Sequence, residues 1–441
     1  MIEVEVSAPI RRYTRPAYLR NPGCTCNDTP AIITAPPPPR LIPRSHYEVS
    51  FWVEVILSKY LYAQPTHRHL QDLRDQGLRV SPGAVAGGLQ SLTPLFEPVL
   101  EALSCQQMSE QLFHNDETRW EVFVEIESKV GTRGYLWVTR SSSVVFYCID
   151  PSRSAAVPGA HFAGLQNDPV IIVCDRYSAY KKLARLALNI LLAFCWAPVR
   201  RDFLDAGRGF SELEQWALQW TERIGALYHL NGLRLEHWNP EGPLAQQSDA
   251  FHPYHEALKQ ALQRMHDEAT RMVAPDTTGV KPCDLADSQD PHSAPGAELS
   301  KSAKTKRKKV LQSLLDHWSG LTLFVEHPEA PMDNNRGENS IRHPVNGRKN
   351  DYGSGSLWSA ELAATLFSIR QTRVLWGLNP RHGLRLYLRA CADNGGTAPR
   401  PIEPFLPGSM DEERRAELIR PYPPQPPPTS PTERVPIHDS S

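Results

Sequence analysis

The chain has 441 residues, of which 40% are hydrophobic and 22% charged, and its formal net charge is −1. These values are typical of a soluble globular protein of two or three domains, and they give no global sign of a polyanionic partner. The longest uncharged stretch of the most apolar region, residues 186–199, has 14 residues, which is too short for the ~20 residues of a membrane-spanning helix. The N-terminus lacks the apolar run of a signal peptide. We therefore expect a cytoplasmic protein without a membrane partner.

The two ends of the chain differ from its middle in composition. Nine of the 40 prolines lie in residues 1–45 and twelve in residues 399–441, so we expect an extended leader and, over 393–441, a disordered tail. The eight cysteines are scattered, and only Cys24 and Cys26 lie close together. A structural Zn²⁺ site needs four ligands, and no second pair lies nearby. We therefore do not expect zinc at these two cysteines.

Residues 46–108 are predicted to be helical. A turn at Gly77 is followed by Ser81 and Pro82, which together are a helix-start signal. A helix, a turn and a second helix could read DNA, but two packed helices are the simpler interpretation, because glycines weaken the second helix. These glycines are Gly83, Gly87 and Gly88.

Strand patterns begin after residue 109, and the segment 109–205 is expected to form the first part of an α/β core. Residues 120–126 alternate between apolar and polar types, as in a half-buried strand. Four further runs have strand character, and they are YLWVTR, SVVFYCID, VIIVC and ILLAFCW. Consecutive strands followed by strands that alternate with helices indicate a mixed α/β layer.

The segment 206–319 is expected to interrupt this core. Apolar residues recur at helical spacing in residues 211–231 and about 254–272, whereas the polar stretch 275–303 is expected to be a disordered linker. The run 301–309 carries six positive charges in nine residues. It either contacts DNA phosphates or forms the solvated start of the next helix.

Three carboxylates stand out by position. Asp116 lies beside the start of the first strand, Asp175 directly follows the buried run VIIVC, and Glu338 precedes a helix in residues 320–392, which are expected to complete the core. Sites in open α/β sheets lie beyond the carboxyl ends of the strands. Converging carboxylates can hold two Mg²⁺ ions ~3.5–4 Å apart, which clamp the attacking and leaving oxygens of a phosphodiester.

Each of these acids also has a purely structural interpretation. Asp116 could be a turn residue. Asp175 could cap the following helix. Glu338 could belong to a capping box with Asn335, whose spacing fits.

A local excess of positive charge surrounds Glu338. Residues 336–390 contain nine Lys or Arg and three acids, a net charge of +6, which fits a polyanionic substrate. A surface helix balanced by acids elsewhere is the alternative. The cations predicted to contact phosphates are Arg336, Arg342, Arg348 and Lys349.

At these segments the chain resembles transposases of the insertion sequence 66 family. The resemblance covers roughly residues 45–410, and the blocks that carry it are HNDETRW, VIIVCDRYSAYKKL, CWAPVRRDF, HPEAPMDNNRGENSIRHPVNGRKNDYGSGS and GLNPRHGLRLYL. It implies a ribonuclease-H-like core interrupted by a helical insertion. It also implies that Asp116, Asp175 and Glu338 are the metal-binding acids of a DD…E enzyme, separated by 59 and 163 residues.

The resemblance implies a reaction and its partners. The reaction is Mg²⁺-dependent hydrolysis at transposon ends, in which Mn²⁺ can replace Mg²⁺, followed by attack of the freed 3′-hydroxyl on target DNA. The partners are double-stranded DNA, both terminal inverted repeats and target, and further copies of the chain in a synaptic complex. A cytoplasmic, nucleoid-associated protein is expected.

The sequence departs from the family pattern at three positions. Pro198 stands where the family has His, Asn339 where it has Arg, and Gly408 where it tends to have Trp. Family members also carry a zinc-binding module upstream, so we interpret the chain as a copy shortened at its N-terminus. Two hypotheses remain open, an active DNA transposase and a catalytically inactive DNA-binding derivative. A nuclease acting on RNA or branched DNA would use the same acids.

Overall fold

The computed structural model of the chain describes residues 9–23, 30–124, 132–165, 169–187, 189–274 and 299–419. Cys24 and Cys26, for which no zinc is expected, lie outside the described residues. Among the helices that are described, none is long and apolar enough to cross a membrane.

The N-terminal part of the described chain consists of a small hairpin and a set of helices. Two short exposed strands pair in antiparallel fashion, β1 (Ala17–Leu19) and β2 (Ile32–Thr34). Three helices follow, namely α1 (Val49–Tyr60), α2 (Thr66–Asp75) and α3 (Pro82–Gln107). The predicted start of α3 is confirmed, because the Ser81 side chain accepts a hydrogen bond from the amide of Ala84.

Glycines have two different roles in this helical region. Gly77 has a φ of +87°, a left-handed conformation that favours glycine at a turn. Gly88 faces the ring of Trp52 so closely that a Cβ atom there would overlap it. The glycines of α3 do not interrupt the helix, which runs from Pro82 to Gln107. Gly88 has a packing role, because only a residue without a Cβ atom lets α3 approach Trp52 this closely.

A mixed sheet forms the centre of the fold, which confirms the predicted α/β class. Its strands are β3 (Leu112–Val122), β4 (Thr132–Arg140), β5 (Val145–Asp150), β6 (Val170–Cys174), β7 (Ile190–Phe194) and β8 (Gly353–Ser354). The order is β5-β4-β3-β6-β7, and β8 pairs with the end of β3. β3, β4 and β5 form an antiparallel meander, whereas β6 and β7 run parallel to β3.

The first strand of this sheet begins earlier than the sequence pattern predicted. The apolar alternation starts at Trp120, but β3 already begins at Leu112. Asp116 therefore lies inside the strand, paired with Val138, and the predictions of a strand-start or turn position for Asp116 are wrong. The strand pattern cannot be recognised in His114–Glu117, because all four residues are polar and the alternation of apolar and polar residues is missing there.

Helices connect and interrupt the parallel part of the sheet. The connecting helices are α4 (Ala156–Phe162) and α5 (Ser178–Leu186), and those of the insertion are α6 (Trp196–Gly209), α7 (Glu214–Glu236), α8 (Phe251–Val273) and α9 (Lys301–Asp316). The two predicted helices of the insertion are confirmed in α7 and α8. The basic run belongs to the first half of α9, so the predicted linker extends too far where it includes residues 301–303.

The C-terminal part of the described chain is helical. Its helices are α10 (Trp318–Leu321), α11 (Leu323–Glu326), α12 (Asn335–Asp351), α13 (Leu357–Leu375), α14 (Pro380–Asp393) and α15 (Glu412–Ile419). The predicted disorder of the tail is wrong for α15, because its Leu418 is fully buried and the Leu418 carbonyl accepts a hydrogen bond from the Asn379 amide at 2.8 Å.

The sheet separates two hydrophobic cores. One face of β3 and β4 carries Trp120 and Leu136, which pack with α1, α3, α13 and α14. The opposite face carries Phe113 and Trp137, which pack with β6, β7 and the helices of the insertion. The N-terminal helices thus share their core with the C-terminal helices, and the candidate site lies where α12 crosses the sheet.

Candidate active site

The strand register brings two of the three predicted acids together. β3 and β6 pair in parallel with a constant offset, from Leu112 opposite Ile171 to His114 opposite Val173. Continuing this register by two residues places Asp116 opposite Asp175. Each paired residue of β6 lies 59 positions after its partner in β3, which is also the separation of the two acids in sequence. Neighbouring strands lie ~4.8 Å apart, so this register brings the backbones of the two acids close together.

Each aspartate is held by a backbone amide close to it in sequence. Asp116 Oδ1 accepts from the Glu117 amide at 2.8 Å, and Asp175 Oδ1 accepts from the Tyr177 amide at 2.9 Å. The second bond forms a turn after β6 and does not cap α5, whose N-cap residue is Tyr177 and has no side-chain cap. The capping interpretation of Asp175 is therefore wrong.

Glu338 lies in the first turn of α12. No capping box exists here, because the N-cap residue is Asn334 and α12 has no side-chain cap hydrogen bond. The side chain of Asn334 turns instead to β3, where Nδ2 donates to the Asn115 carbonyl at 2.7 Å and Oδ1 lies 3.2 Å from His114 Nδ1. This contact fixes the start of α12 next to Asp116.

A glycine leaves space for this anchor. A Cβ atom at Gly337 would lie 2.7 Å from Asn334 Oδ1, which is closer than carbon and oxygen atoms normally approach. Asn334 is itself 2% exposed. The motif DNNRGENS therefore combines a buried anchor, a glycine that makes room for it, and the acid that the anchor positions.

The acids influence one another electrostatically. The pKa of Asp116 is raised to about 7, mainly by burial and in smaller part by the neighbouring carboxylates of Glu117, Asp175 and Glu338, while the Glu117 amide opposes this effect. Like charges close together disfavour ionisation. Both Asp175 and Glu338 therefore lie within electrostatic range of Asp116.

A fourth carboxylate lies behind Asp116. Glu117 accepts hydrogen bonds from Tyr180 Oη at 2.7 Å and from Arg153 Nη2 at 2.6 Å, and burial raises its pKa against the effect of these two bonds. Arg153 also stacks on Tyr177, 4.0 Å from the ring centre. Glu117 is thus tied to the loop that carries Asp175.

The donor set suits a hard divalent cation, although the side chains do not already enclose one. Across the described ranges, no three His, Cys, Asp or Glu side chains converge closely enough to form a metal-binding group. In both Asp116 and Asp175, the hydrogen bond from a backbone amide occupies one carboxylate oxygen, Oδ1. Oxygen ligands are what Mg²⁺ prefers in proteins, and carboxylates supply them here.

The exposed face of α12 carries the predicted phosphate contacts. Arg336, Arg342 and Lys349 are exposed on this helix, as is Asn339 between them. Arg342 follows Arg336 after six residues, with Asn339 between them, and Lys349 follows Arg342 after seven. Together they form a broad basic stripe on the exposed side of α12, which starts beside Glu338. A basic surface next to a group of acids suits a polyanion.

Arg348 has a different position from the other three cations. Its Nη1 donates to Thr118 Oγ1 at 3.0 Å and to the Arg119 carbonyl, so it links α12 to β3.

The excess of positive charge in residues 336–390, +6 in the sequence, is smaller at the surface of the protein. Arg373 is 3% exposed, and Arg381 pairs with Glu54.

Sequence reasoning missed several residues of this site. Asn334, His114 and Glu117 contact or flank the acids, and each is a polar residue in a sequence segment that contains one of the predicted acids. The signal that could have found them is the density of polar residues in HNDETRW and DNNRGENS, which is unusual beside buried strands.

Comparison with known protein families identifies the family of this chain. A family model described as "Transposase IS66 family" matches residues 44–362, well over half of the chain. The chain belongs to this family. This result confirms the resemblance, and the matched range ends within α13, beyond all three acids.

The IS66 family member also resembles curated proteins at low identity. It is 23% identical over 400 residues to the uncharacterized protein y4hP of Sinorhizobium fredii (strain NBRC 101917 / NGR234). The aligned region covers 84% of this chain and 64% of y4hP. It is 23% identical over 413 residues to the uncharacterized protein y4jD of the same strain, covering 90% of this chain and 72% of y4jD. The chain thus spans 64% of the length of the first of these relatives.

The three departures from the family pattern do not disrupt the local structure. Pro198 is the third residue of α6, within the first turn, where proline costs no hydrogen bond. Asn339 is exposed on α12. A Cβ atom at Gly408 would overlap the Gln106 side chain, so a larger residue there would have to displace that amide.

Proposed function

We propose that this IS66 family protein is a DNA transposase that cleaves the ends of an insertion sequence and joins the freed 3′-hydroxyl to target DNA. Asp116, Asp175 and Glu338 are proposed as the metal-binding acids. The observation that carries the proposal is their arrangement, with Asp116 in β3, Asp175 directly after the adjacent parallel strand β6, and Glu338 in the first turn of a helix fixed to β3.

The topology supports a ribonuclease-H-like core. An antiparallel meander of three strands continues into two parallel strands, in the order β5-β4-β3-β6-β7. The insertion helices α7 and α8 come between β7 and the helix that carries the third acid. In such an arrangement Asp116 and Asp175 lie at the carboxyl end of the parallel pairing between β3 and β6, where sites in α/β proteins are expected.

The residues have separate proposed roles. Asp116, Asp175 and Glu338 would hold two Mg²⁺ ions, or Mn²⁺ in their place. Bound ions would supply positive charge that stabilises the attacking and leaving oxygens of an in-line phosphoryl transfer. Arg336, Arg342 and Lys349 bind backbone phosphates and orient the DNA along α12. Arg348 keeps the helix on β3.

Association of several copies is part of the proposal. Transposition requires that two DNA ends meet, and a homo-oligomer bound to both terminal repeats would bring them together. Double-stranded DNA, both as terminal repeat and as target, is the proposed substrate.

The alternative is a DNA-binding protein that has lost catalysis. Pro198 and Asn339 are the sequence features that suggested it. Both residues fit their helices without strain, and neither touches the anchor between Asn334 and Asn115. The local structure therefore favours the active enzyme.

A strand-cleavage assay with duplex DNA that carries the repeats flanking the reading frame tests the proposal. With Mg²⁺, the wild-type protein should nick at the repeat end, and Asp175→Asn should abolish nicking while the DNA affinity stays within a factor of about two. Asp205→Asn is the matched control, because Asp205 is an exposed residue of α6. Cleavage by Asp175→Asn at the wild-type rate would refute the assignment of the acids. Binding without any nicking by the wild-type protein would favour the inactive derivative.

A further inference from the structure

A cavity of about 320 Å³ lies between the N-terminal helices and the end of α12. Its floor is aromatic and consists of Tyr60, Trp120 and Phe367, of which each is 4% exposed. The ring of Phe367 meets Tyr60 and Trp120 edge to face, at 5.9 and 5.8 Å between ring centres. Trp358 adds a half-buried fourth ring to the wall.

The opening of the cavity is polar. Lys59 and Asp351 form an ion pair at 3.0 Å on one side, and Ser354, Gly355 and Ser356 form another part of the lining. Two lining residues, Gly355 and Ala86, are exposed, so the cavity reaches solvent. Aromatic walls with a few polar groups at the opening are typical of a site for a flat heterocycle.

Two elements lead from the acids to this cavity. β3 carries Asp116 and, four residues later on the same face, Trp120, which corresponds to ~13 Å along a strand. α12 carries Glu338 in its first turn and Asp351 at its end, which corresponds to ~20 Å along a helix. DNA advances ~3.4 Å per nucleotide. A strand cleaved at the acids would therefore pass the cavity about four to six nucleotides away.

The surface between the acids and the cavity suits a nucleic acid. The basic stripe of α12 ends at Lys349, directly before the opening. Two aromatic side chains are exposed beside it, Tyr352 at 73% and Phe123 at 48%, and the Phe123 amide donates to the Ser354 carbonyl at 2.8 Å. Cations for the backbone together with aromatic rings for the bases are the usual combination in proteins that bind unpaired nucleotides.

We propose that this cavity binds a single nucleobase that has left the DNA stack, a few nucleotides from the cleaved phosphate. The inference rests on the proposed function, because it requires DNA along α12. The volume is at the lower end of the ~300–1,000 Å³ of small-molecule pockets, which suits one heterocycle and is too small for a helix of a partner protein. The bound base stacks on the aromatic walls, while its polar edge faces the serines and the Lys59–Asp351 pair.

The experiment uses three duplexes of one sequence with the full-length protein. One duplex is fully paired, one carries a single extrahelical 2-aminopurine, and one carries an abasic residue in place of that base. Unpairing a base costs free energy, and the extrahelical base avoids this cost. The wild-type protein should therefore bind the 2-aminopurine duplex at least about tenfold more tightly than the other two.

Variants with a bulky side chain in the lining separate base binding from general DNA binding. Gly355 lines the cavity, and a Cβ atom there meets no atom within 4 Å. Gly355→Phe therefore adds a ring at the cavity without a clash at its Cβ, and it should abolish the preference without changing the affinity for paired DNA. Ala86→Trp enlarges another exposed residue of the lining and should do the same. Gly225→Phe, on the exposed side of α7 where a Cβ also meets no atom, is the matched control and should keep the preference.

The outcomes are distinguishable. Equal binding of the three duplexes by the wild-type protein overturns the nucleobase site and leaves the proposed function intact. An unchanged preference in both Gly355→Phe and Ala86→Trp also overturns it. Failure of the wild-type protein to bind any of the duplexes contradicts the proposed function itself, and the nucleobase site with it.

Discussion

Asn334 and Asn115 connect the helix that carries Glu338 to the strand that carries Asp116. The Nδ2 group of Asn334 donates to the Asn115 carbonyl at 2.7 Å, and both residues are 2% exposed. The bond joins residues 219 positions apart in sequence. This buried amide therefore helps to set the relative position of the two acids, together with the link from Arg348 to β3.

Removal of this amide should weaken both the fold and catalysis. Asn334→Ala leaves the buried Asn115 carbonyl without its donor, and we expect the free energy of unfolding to fall by about 1–3 kcal/mol. DNA cleavage should fall more than DNA affinity, because the acids lose their alignment. Urea unfolding and a cleavage assay measure the two effects. Asn335→Ala, at the exposed neighbouring position, is the control and should change stability by less than about 0.5 kcal/mol.

Two adjacent glycines of α3 should respond to alanine in opposite directions. Gly88→Ala introduces a methyl group into the ring of Trp52, and such overpacking should lower the free energy of unfolding by about 1–3 kcal/mol. Gly87 is exposed, and a Cβ there meets no atom within 4 Å. Gly87→Ala should therefore raise stability by about 0.5–1 kcal/mol through helix propensity. Chemical denaturation of both variants gives the comparison, and destabilisation by both would contradict the close packing of Trp52.

Acid should destabilise the protein through buried histidine. Burial lowers the pKa of His161 from 6.5 to about 4, and its ring stacks on Phe146 with 4.4 Å between centres. The unfolded chain takes up this proton first, so the stabilising effect is complete above pH 6.5 and is lost as the pH falls toward 4. The loss is at most about 3 kcal/mol. Unfolding free energies measured across this interval should fall less steeply for His161→Gln, and parallel curves for the two proteins would argue against the shift.

A charge restored on α12 should strengthen DNA binding. Asn339 lies on the exposed stripe with Arg336 and Arg342, and Asn339→Arg adds a cation between them. We expect higher affinity and a steeper dependence on salt, by about 0.9 in the slope of log K against log salt for one added phosphate contact. Titrations at several salt concentrations measure this slope. Gln260→Arg, an exposed position on α8, adds the same charge away from α12, and an equal gain there would mean that only net charge matters.

Much of the secondary structure could be predicted from local patterns. The buried run VIIVC and the alternation after Trp120 have the apolar spacing of strands, and both form strands here. The start of α3 at Ser81–Pro82 is predictable for the same reason, because the Ser81 hydroxyl group caps an amide only three residues away. Such signals are local, and the chain does not need its tertiary structure to reveal them.

The remainder depends on contacts between distant residues. The beginning of β3 was missed because His114 and Asn115 are polar, and only their bonds to Asn334 and to β4 make them suitable for a buried strand. That Asp116 faces Asp175 follows from strand register, which a single sequence does not specify. The helix α15 was missed because its main apolar anchor, Leu418, lies in a segment rich in charge and proline.

The core shared by both ends of the chain has a consequence for synthesis on the ribosome. Apolar residues from Leu41 to Leu103 pack in one cluster with those from Ile341 to Leu406. The helices that emerge first must therefore wait for nearly the whole polypeptide before their apolar faces are covered. A frameshift or stop codon before residue 341 would leave these faces exposed to chaperones and proteases, so prematurely terminated copies of the gene should accumulate no stable N-terminal fragment.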